Sequence, residues 1–214
     1  MCMLPLTSYA QFTKGLSYRA ETGVSFSGGE HTPFWLTANK QGLSSIEKNN
    51  GYLRAGVFRE LENDTPFSYA FGADLAVAYN FTSTFVVQQL YADLKYRCLG
   101  VSIGSKERHS EFNNPLLSSG GLTFSGNARP IPQVRIGIPE YTVVPGTKGW
   151  MAFKGHIAYG MFTDDSWQKD FVVPGNKYTK HVLYHSKDLY VKIGNQEKFP
   201  LILEGGLEMA AQFG

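Results

Sequence analysis

The sequence predicts an all-β fold, and within that class an antiparallel transmembrane β-barrel of which the chain is an incomplete portion of about nine strands. Apolar and polar residues alternate with a period of two along much of the 214-residue chain. Phe, Tyr and Gly are frequent, at 15, 12 and 23 residues. No apolar run reaches the roughly 18 residues of a membrane-spanning helix, whereas barrel strands present only every second residue to lipid and stay moderately polar on average.

Residues 67–80 show the alternation most clearly. Phe67, Leu75 and Tyr79 belong to a bulky face, whereas Gly72 and Asp74 belong to the opposite face. That second face is mostly Gly, Ala and Ser, while a soluble sandwich would present Lys and Glu to water. Aromatic residues at both ends of a strand are typical of lipid-facing barrel strands. We therefore expect the bulky face to contact lipid and the small, polar face to line a lumen.

Two other segments repeat this pattern, residues 16–26 and 201–213. Arg19 and Glu21 share one face of the first segment. A basic residue on the lipid face would cost about 2–4 kcal/mol at the bilayer midplane, so such charges should face the lumen. Weaker alternation predicts further strands at residues 52–59, 86–96, 99–106, 133–139, 150–161 and 181–194.

The predicted connections alternate in length, as expected for short periplasmic turns and longer external loops. The short links fall near residues 60–66, 97–98, 140–148 and 195–198. The external links fall near residues 27–51, 107–132 and 162–180, which are long, and 81–85, which is short. An odd strand count cannot close a bacterial barrel without leaving an edge in lipid, so we expect the coding sequence to continue past Gly214.

The N-terminal residues are interpreted as the end of an export signal. Ser8 and Ala10 are small residues at the spacing that signal peptidase requires. Residues 1–10 would then be a signal-peptide remnant, and residues 11–214 the N-terminal part of the barrel. Within it, residues 27–50 are long for a loop and form a possible plug or lid, with Trp35 either buried in the lumen or placed over the barrel mouth.

Composition and motifs argue against several other classes of protein. With 20 basic and 18 acidic residues, the chain lacks the basic footprint of a nucleic-acid binder. Cys2 and Cys98 are too few for a disulfide framework or a zinc site, and no metal or cofactor is expected. Glu204 and Glu208 would stand about 13 Å apart on a strand, which is too far for a glycosidase pair. No catalytic residue is predicted, because no catalytic motif occurs.

Three segments carry a resemblance to a known family: residues 32–40 (TPFWLTANK), residues 90–96 (LYADLKY), and residues 118–122 (SSGGL) with 126–135 (GNARPIPQVR). They resemble the capsule assembly Wzi family as it occurs in Bacteroides-type bacteria, and the likeness covers nearly the whole chain after residue 10. The resemblance implies a bacterial outer-membrane barrel of roughly eighteen strands with a plug. It also implies a lectin-like role in the assembly or surface attachment of capsular polysaccharide.

From the pattern and the resemblance together we expect a monomeric, non-catalytic barrel. Its partners would be capsular polysaccharide and outer-membrane lipid, and nucleic acid would not be among them. Two alternatives stay open at this point. One is a porin or sugar-transport channel of the outer membrane, and the other is a secreted, soluble all-β carbohydrate-binding module.

Candidate site residues follow from the chemistry of sugars, because aromatic rings suit the apolar faces of sugar rings, while amides and Arg suit hydroxyls and carboxylates. The carbohydrate-binding candidates in the predicted external loops are Phe112, Asn114, Phe124, Asn127, Arg129, Trp167 and Lys169. The lumen or plug candidates are Trp35, Asn39, Arg54, Asp74, Lys95, Lys154, Glu204 and Glu208. Since these charges have both signs, we expect salt bridges that fill the barrel rather than an ion-selective pore.

Overall fold

The computed structural model describes residues 2–3, 6–13, 15–62, 65–110, 114, 117–118, 121, 123–163, 169 and 172–213, with the backbone alone before residue 15. The described chain is all-β apart from a short 3-10 helix, Phe34–Leu36. Its strands are β1 (Cys2–Met3), β2 (Leu6–Thr13), β3 (Leu16–Phe26), β4 (Asn50–Arg59), β5 (Phe67–Tyr79), β6 (Phe85–Tyr96), β7 (Leu99–Ser105), β8 (Gln133–Val143), β9 (Met151–Met161), β10 (Leu183–Ile193) and β11 (Leu203–Phe213).

The strands form an antiparallel sheet in which neighbours along the chain are neighbours in the sheet from β3 to β11. The backbones of β1 and β2 both pair with β3, within residues for which the sequence predicted no strand. The sheet is not closed in the described part of the chain, because β11 pairs with β10 alone. The all-β prediction is therefore confirmed, in the form of an open antiparallel sheet.

The predicted strand positions agree with the structure to within a few residues, with one longer exception. β8 was predicted to end at Pro139, whose ring leaves no N–H for a sheet ladder. The strand instead continues to Val143, because its register with β9 shifts between Ile138 and Thr142. A bulge of this kind accommodates a residue that cannot pair.

The chain divides into two compact units. The first unit comprises Met1–Glu62, Tyr69–Ala92 and Gly104–Pro130, and the second comprises Asn63–Ser68, Asp93–Ile103 and Ile131–Gly214. Continuous antiparallel registers join β3, β4 and β5 in the first unit and β9, β10 and β11 in the second. No helix in the described residues combines the length and the apolar character needed to cross a bilayer.

Candidate functional site

The strands of the first unit bury their polar face and expose their apolar face. In β5 every second residue is buried: Asp74 is 0% exposed, and the adjacent Leu75 is 43% exposed. In β4, Arg54 is buried and Leu53 is exposed. A water-soluble protein normally does the reverse, since apolar burial drives folding and charges stay hydrated. We call the buried side of β3–β6 in this unit the polar face.

Arg54 and Asp74 form the centre of an ion-pair network on the polar face. Arg54 donates to both carboxylate oxygens of Asp74, from Nε to Oδ1 at 3.0 Å and from Nη2 to Oδ2 at 2.5 Å. Its Nη2 also lies 2.7 Å from Glu107 Oε1, and Glu21 lies opposite Arg54 in the register. Bidentate pairing of this kind supplies hydrogen-bond acceptors to a guanidinium that is removed from water.

A second arginine joins the same network. Gly56 lies between Arg19 on β3 and Asp74 on β5 in a single cross-strand row, and the Phe58 ring lies over Gly56. The Arg19 guanidinium lies 5.1 Å from the centroid of that ring and donates from Nη1 to Asp74 Oδ2 at 3.3 Å. The structure thus brings together Arg54 and Asp74, two of the predicted lumen residues, as an ion pair.

Two glutamines that the sequence analysis did not select link this network to the loops. Gln88 and Gln89 are consecutive and both buried, so the alternation of β6 shifts by one residue there. Gln88 Nε2 donates to Gln41 O at 2.8 Å and to Glu107 Oε1 at 2.9 Å. Gln89 Oε1 accepts from the backbone N–H of Glu107 at 3.0 Å. Two adjacent amides, which interrupt the alternation of β6, were the available signal.

The 27–50 segment packs on the polar face of the first unit. Leu43, only 3% exposed, forms a small core with Ala76 of β5 and Val86 of β6. At the end of the segment, Asn50 Nδ2 donates to Glu47 O at 2.6 Å. We considered that Trp35 is either buried in a lumen or placed over the barrel mouth. Its side chain is 72% exposed, so the buried position is not observed.

The 106–130 loop is hydrogen-bonded to the 27–50 segment, and we call these two stretches the loop pair. Asn39 N–H donates to Asn127 Oδ1 at 2.8 Å, and Asn39 Nδ2 donates to Ser118 O at 2.8 Å. Gln41 N–H donates to Gly126 O at 2.7 Å. The loop pair and the polar face thus form one connected structure within the first unit.

The carbohydrate-binding candidates have different environments. Asn127 is exposed and joins the loop pair. Arg129 packs so closely against Gly42 that a Cβ at residue 42 would lie 2.6 Å from Arg129 N, and the positive φ of 72° also favours glycine there. Phe124 is half-buried, and Asn114 is exposed. Lys169 is exposed and belongs to the second unit. Two further candidates, Phe112 and Trp167, lie outside the described residues.

Three lysines of the second unit also have partners, two of them carboxylates and one an aromatic ring. Lys95 is buried and donates to Glu140 Oε2 at 2.9 Å. Lys154 Nζ lies 4.7 Å from the ring centroid of Tyr141, a cation–π distance. Lys192 lies opposite Glu204 in the register and 2.9 Å from it.

The two glutamates of β11, which were predicted to face a lumen, are enclosed to different extents. Tyr190 donates to Glu208, which is half-buried. Glu204 is exposed, so its predicted enclosed position is not observed. Since β11 pairs with β10 alone in the described residues, only one neighbouring strand covers its polar side chains.

Three side chains on the buried face of the second unit contact one another in sequence: Ser186, His156 and Asp188. Ser186 Oγ lies 3.2 Å from His156 Nε2, and Asp188 Oδ1 lies 2.5 Å from His156 Nδ1. The groups match those of a nucleophilic triad, but Ser186 is 1% exposed, so its hydroxyl is closed to a substrate. The sequence does not reveal this cluster, because the β9–β10 register brings it together.

These features define the class of the chain as an all-β protein with a sheet whose strands, in the first unit, bury their polar side and expose their apolar side. In the described residues, no group of three His, Cys, Asp or Glu side chains is placed to hold a metal ion. Comparison of the chain with protein-family models, curated proteins and solved structures finds no match.

Proposed function

We propose that the chain is part of an outer-membrane β-barrel that assembles or attaches capsular polysaccharide at the cell surface without catalysis. The observation that carries the membrane part is the inverted burial of the strands. Exposing apolar area to water costs roughly 25 cal/mol per Å², and lipid removes that cost. Rows of exposed Leu, Val and aromatic side chains on successive strands are therefore best accounted for by a hydrocarbon environment.

The buried charges support the same orientation. Asp74 and Arg54 satisfy each other by direct ion pairing on the side away from the apolar face. A barrel interior keeps such pairs out of lipid, where an unpaired charge would be costly. A soluble carbohydrate-binding module would instead bury Leu53 and Leu75, both of which are exposed.

The capsule part rests on the resemblance to the Wzi family and on where its segments lie. Of the resembling segments, residues 32–40, Ser118 and residues 126–130 belong to the loop pair, where Asn39 is hydrogen-bonded to Ser118 and Asn127. Residues 90–96 belong to β6, and residues 133–135 belong to β8. Two of the resembling segments therefore meet each other in the loop pair.

The packing of the 27–50 segment favours surface binding over a porin. This segment covers part of the polar face through Leu43 and Gln41, and charges of both signs pair beside it. A conducting pore needs an open polar path, whereas paired charges and a packed segment fill the space. We therefore place polysaccharide attachment ahead of transport.

The test is to delete the gene in the bacterium that carries it and to restore it in trans. We expect the protein in the outer-membrane fraction after a high-salt wash. We also expect the deletion strain to release capsular polysaccharide into the medium, with retention restored by the complementing gene. Recovery of the protein in the soluble fraction would contradict the membrane part. Normal capsule retention in the deletion strain would contradict the capsule part.

A further inference from the structure

Two large aromatic side chains of the loop pair are exposed to solvent. Phe34 and Trp35 lie on the short 3-10 helix and are both mostly exposed. The turn is closed by hydrogen bonds to Phe34 O, from Ala38 N–H at 3.0 Å and from Thr37 Oγ1 at 2.8 Å. Exposed aromatic side chains on a fixed backbone are common in binding sites, because they present apolar area with little conformational freedom to lose.

Two polar residues lie just after the turn that carries Trp35. The Ala38–Phe34 hydrogen bond closes one turn of the chain, and Asn39 follows it directly, four residues after Trp35. Asn39 adopts a positive φ of 56° and is fixed by Asn127 and Ser118. Asn39 and Asn127 are both exposed, so two residues with side-chain amides, hydrogen-bonded to each other, lie at the surface, one of them four residues after Trp35.

Each of these side-chain amides uses one of its two polar atoms in a hydrogen bond. Asn39 uses Nδ2 for Ser118 O, and Asn127 uses Oδ1 for Asn39 N–H. In the part of the chain that the structure describes, Asn39 Oδ1 and Asn127 Nδ2 have no protein hydrogen-bond partner. One acceptor and one donor thus belong to two residues that are hydrogen-bonded to each other, and two neighbouring hydroxyl groups of a sugar offer the matching donor and acceptor.

We propose that Trp35, Asn39 and Asn127 form a subsite for one pyranose ring of a polysaccharide. The apolar face of the ring stacks on the indole, while two adjacent hydroxyls exchange hydrogen bonds with Asn39 Oδ1 and Asn127 Nδ2. The paired amides favour a sugar over an acyl chain, which offers no hydroxyls. This subsite rests on the proposed function and names the place where the polysaccharide is held.

The experiment measures binding of purified capsular polysaccharide, taken from the bacterium that makes the protein, to the detergent-solubilised whole protein. Trp35→Ala should weaken binding about tenfold, because the stacking platform is lost. Trp35→Phe should recover part of that loss. Asn127→Asp keeps the acceptor for Asn39 N–H and removes the donor, so it should weaken binding by about two- to tenfold.

The controls lie in the same segment and are exposed. Ile46→Ala removes exposed apolar area, and Asn49→Asp adds one negative charge, so both should bind like the wild type. If the wild type binds and Trp35→Ala and Asn127→Asp bind equally well, the subsite is wrong while the proposed function stands. If the wild type binds no polysaccharide and the deletion strain retains its capsule, the proposed function fails. If Trp35→Ala instead weakens association with sugar-free phospholipid vesicles, Trp35 is a membrane anchor and the subsite is wrong.

Discussion

Asp74 shows what a single buried charge does in this chain. Its carboxylate has no exposure and accepts from Arg54, Arg19 and Gln89. Breaking a buried pair by removing one partner is costly, because the other charge stays behind without compensation. Removing a partner costs less at the Arg59–Glu62 pair, because the Glu62 side chain is 57% exposed and solvent screens the interaction.

Asp74→Ala should therefore lower the free energy of unfolding by about 3–5 kcal/mol. The measurement is urea denaturation of the protein in detergent micelles, followed by tryptophan fluorescence. The matched control is Glu62→Ala, which removes the carboxylate of the exposed pair and should cost no more than about 1 kcal/mol. Equal losses in the two variants would mean that the Asp74 network adds nothing beyond a surface ion pair.

At this scale the sequence predicts which face a residue occupies but not which partner it meets. Arg54 and Asp74 were assigned to one face by alternation alone, and both are buried there. Glu107 and Gln41 were not selected, because they follow strands or lie in loops where no period applies. Their contacts depend on how the loop pair folds back, which is a long-range property that local pattern does not contain.

The strands themselves are the best-predicted elements. Alternation over β3 and β5 is strong because one face of each strand carries only small or polar residues, so a slip of one residue would move every bulky side chain to the wrong side. Prediction is weaker where the alternation breaks, at Gln88–Gln89 in β6 and after Pro139 in β8. Each break moves the side chains that follow it to the opposite face of the sheet. A two-residue period in the sequence does not predict where such a shift occurs.

The element-scale prediction concerns Leu75, near the middle of β5 on the apolar face. Leu75→Lys should destabilise the inserted protein by about 2–4 kcal/mol and reduce the amount assembled in the outer membrane, because a charge would face hydrocarbon. The amount of folded protein is read from heat-modifiable migration on gels of the membrane fraction.

Leu117→Lys is the control, since Leu117 is 86% exposed outside the strands. It should leave assembly unchanged. In water, both exposed leucines would tolerate lysine equally well, so an undisturbed Leu75→Lys variant would contradict a lipid-facing surface.

At the scale of the whole molecule, the sheet and the loop pair act together. The 27–50 segment is held by Leu43 on the small residues of β5 and β6, by Gln41 on Gln88, and by Asn39 on Asn127. The sequence predicted a plug or a lid at this position and left the two open. The packing of Leu43 and Gln41 against the sheet is the arrangement expected of a plug, whereas Trp35 and Asn39 face outward as a lid or binding surface would.

The last prediction follows from this packing and uses conductance across planar lipid bilayers. The wild-type protein should give no steady open channel, because the segment occupies the polar face. Leu43→Glu places a carboxylate against Ala76 and Val86, where no partner compensates its desolvation, so the segment should detach and channel openings should appear. Ile46→Glu adds the same charge at an exposed position of the segment and should stay silent. A wild type that conducts as steadily as Leu43→Glu would mean that the segment does not block a pore, and the porin alternative would then be the better account.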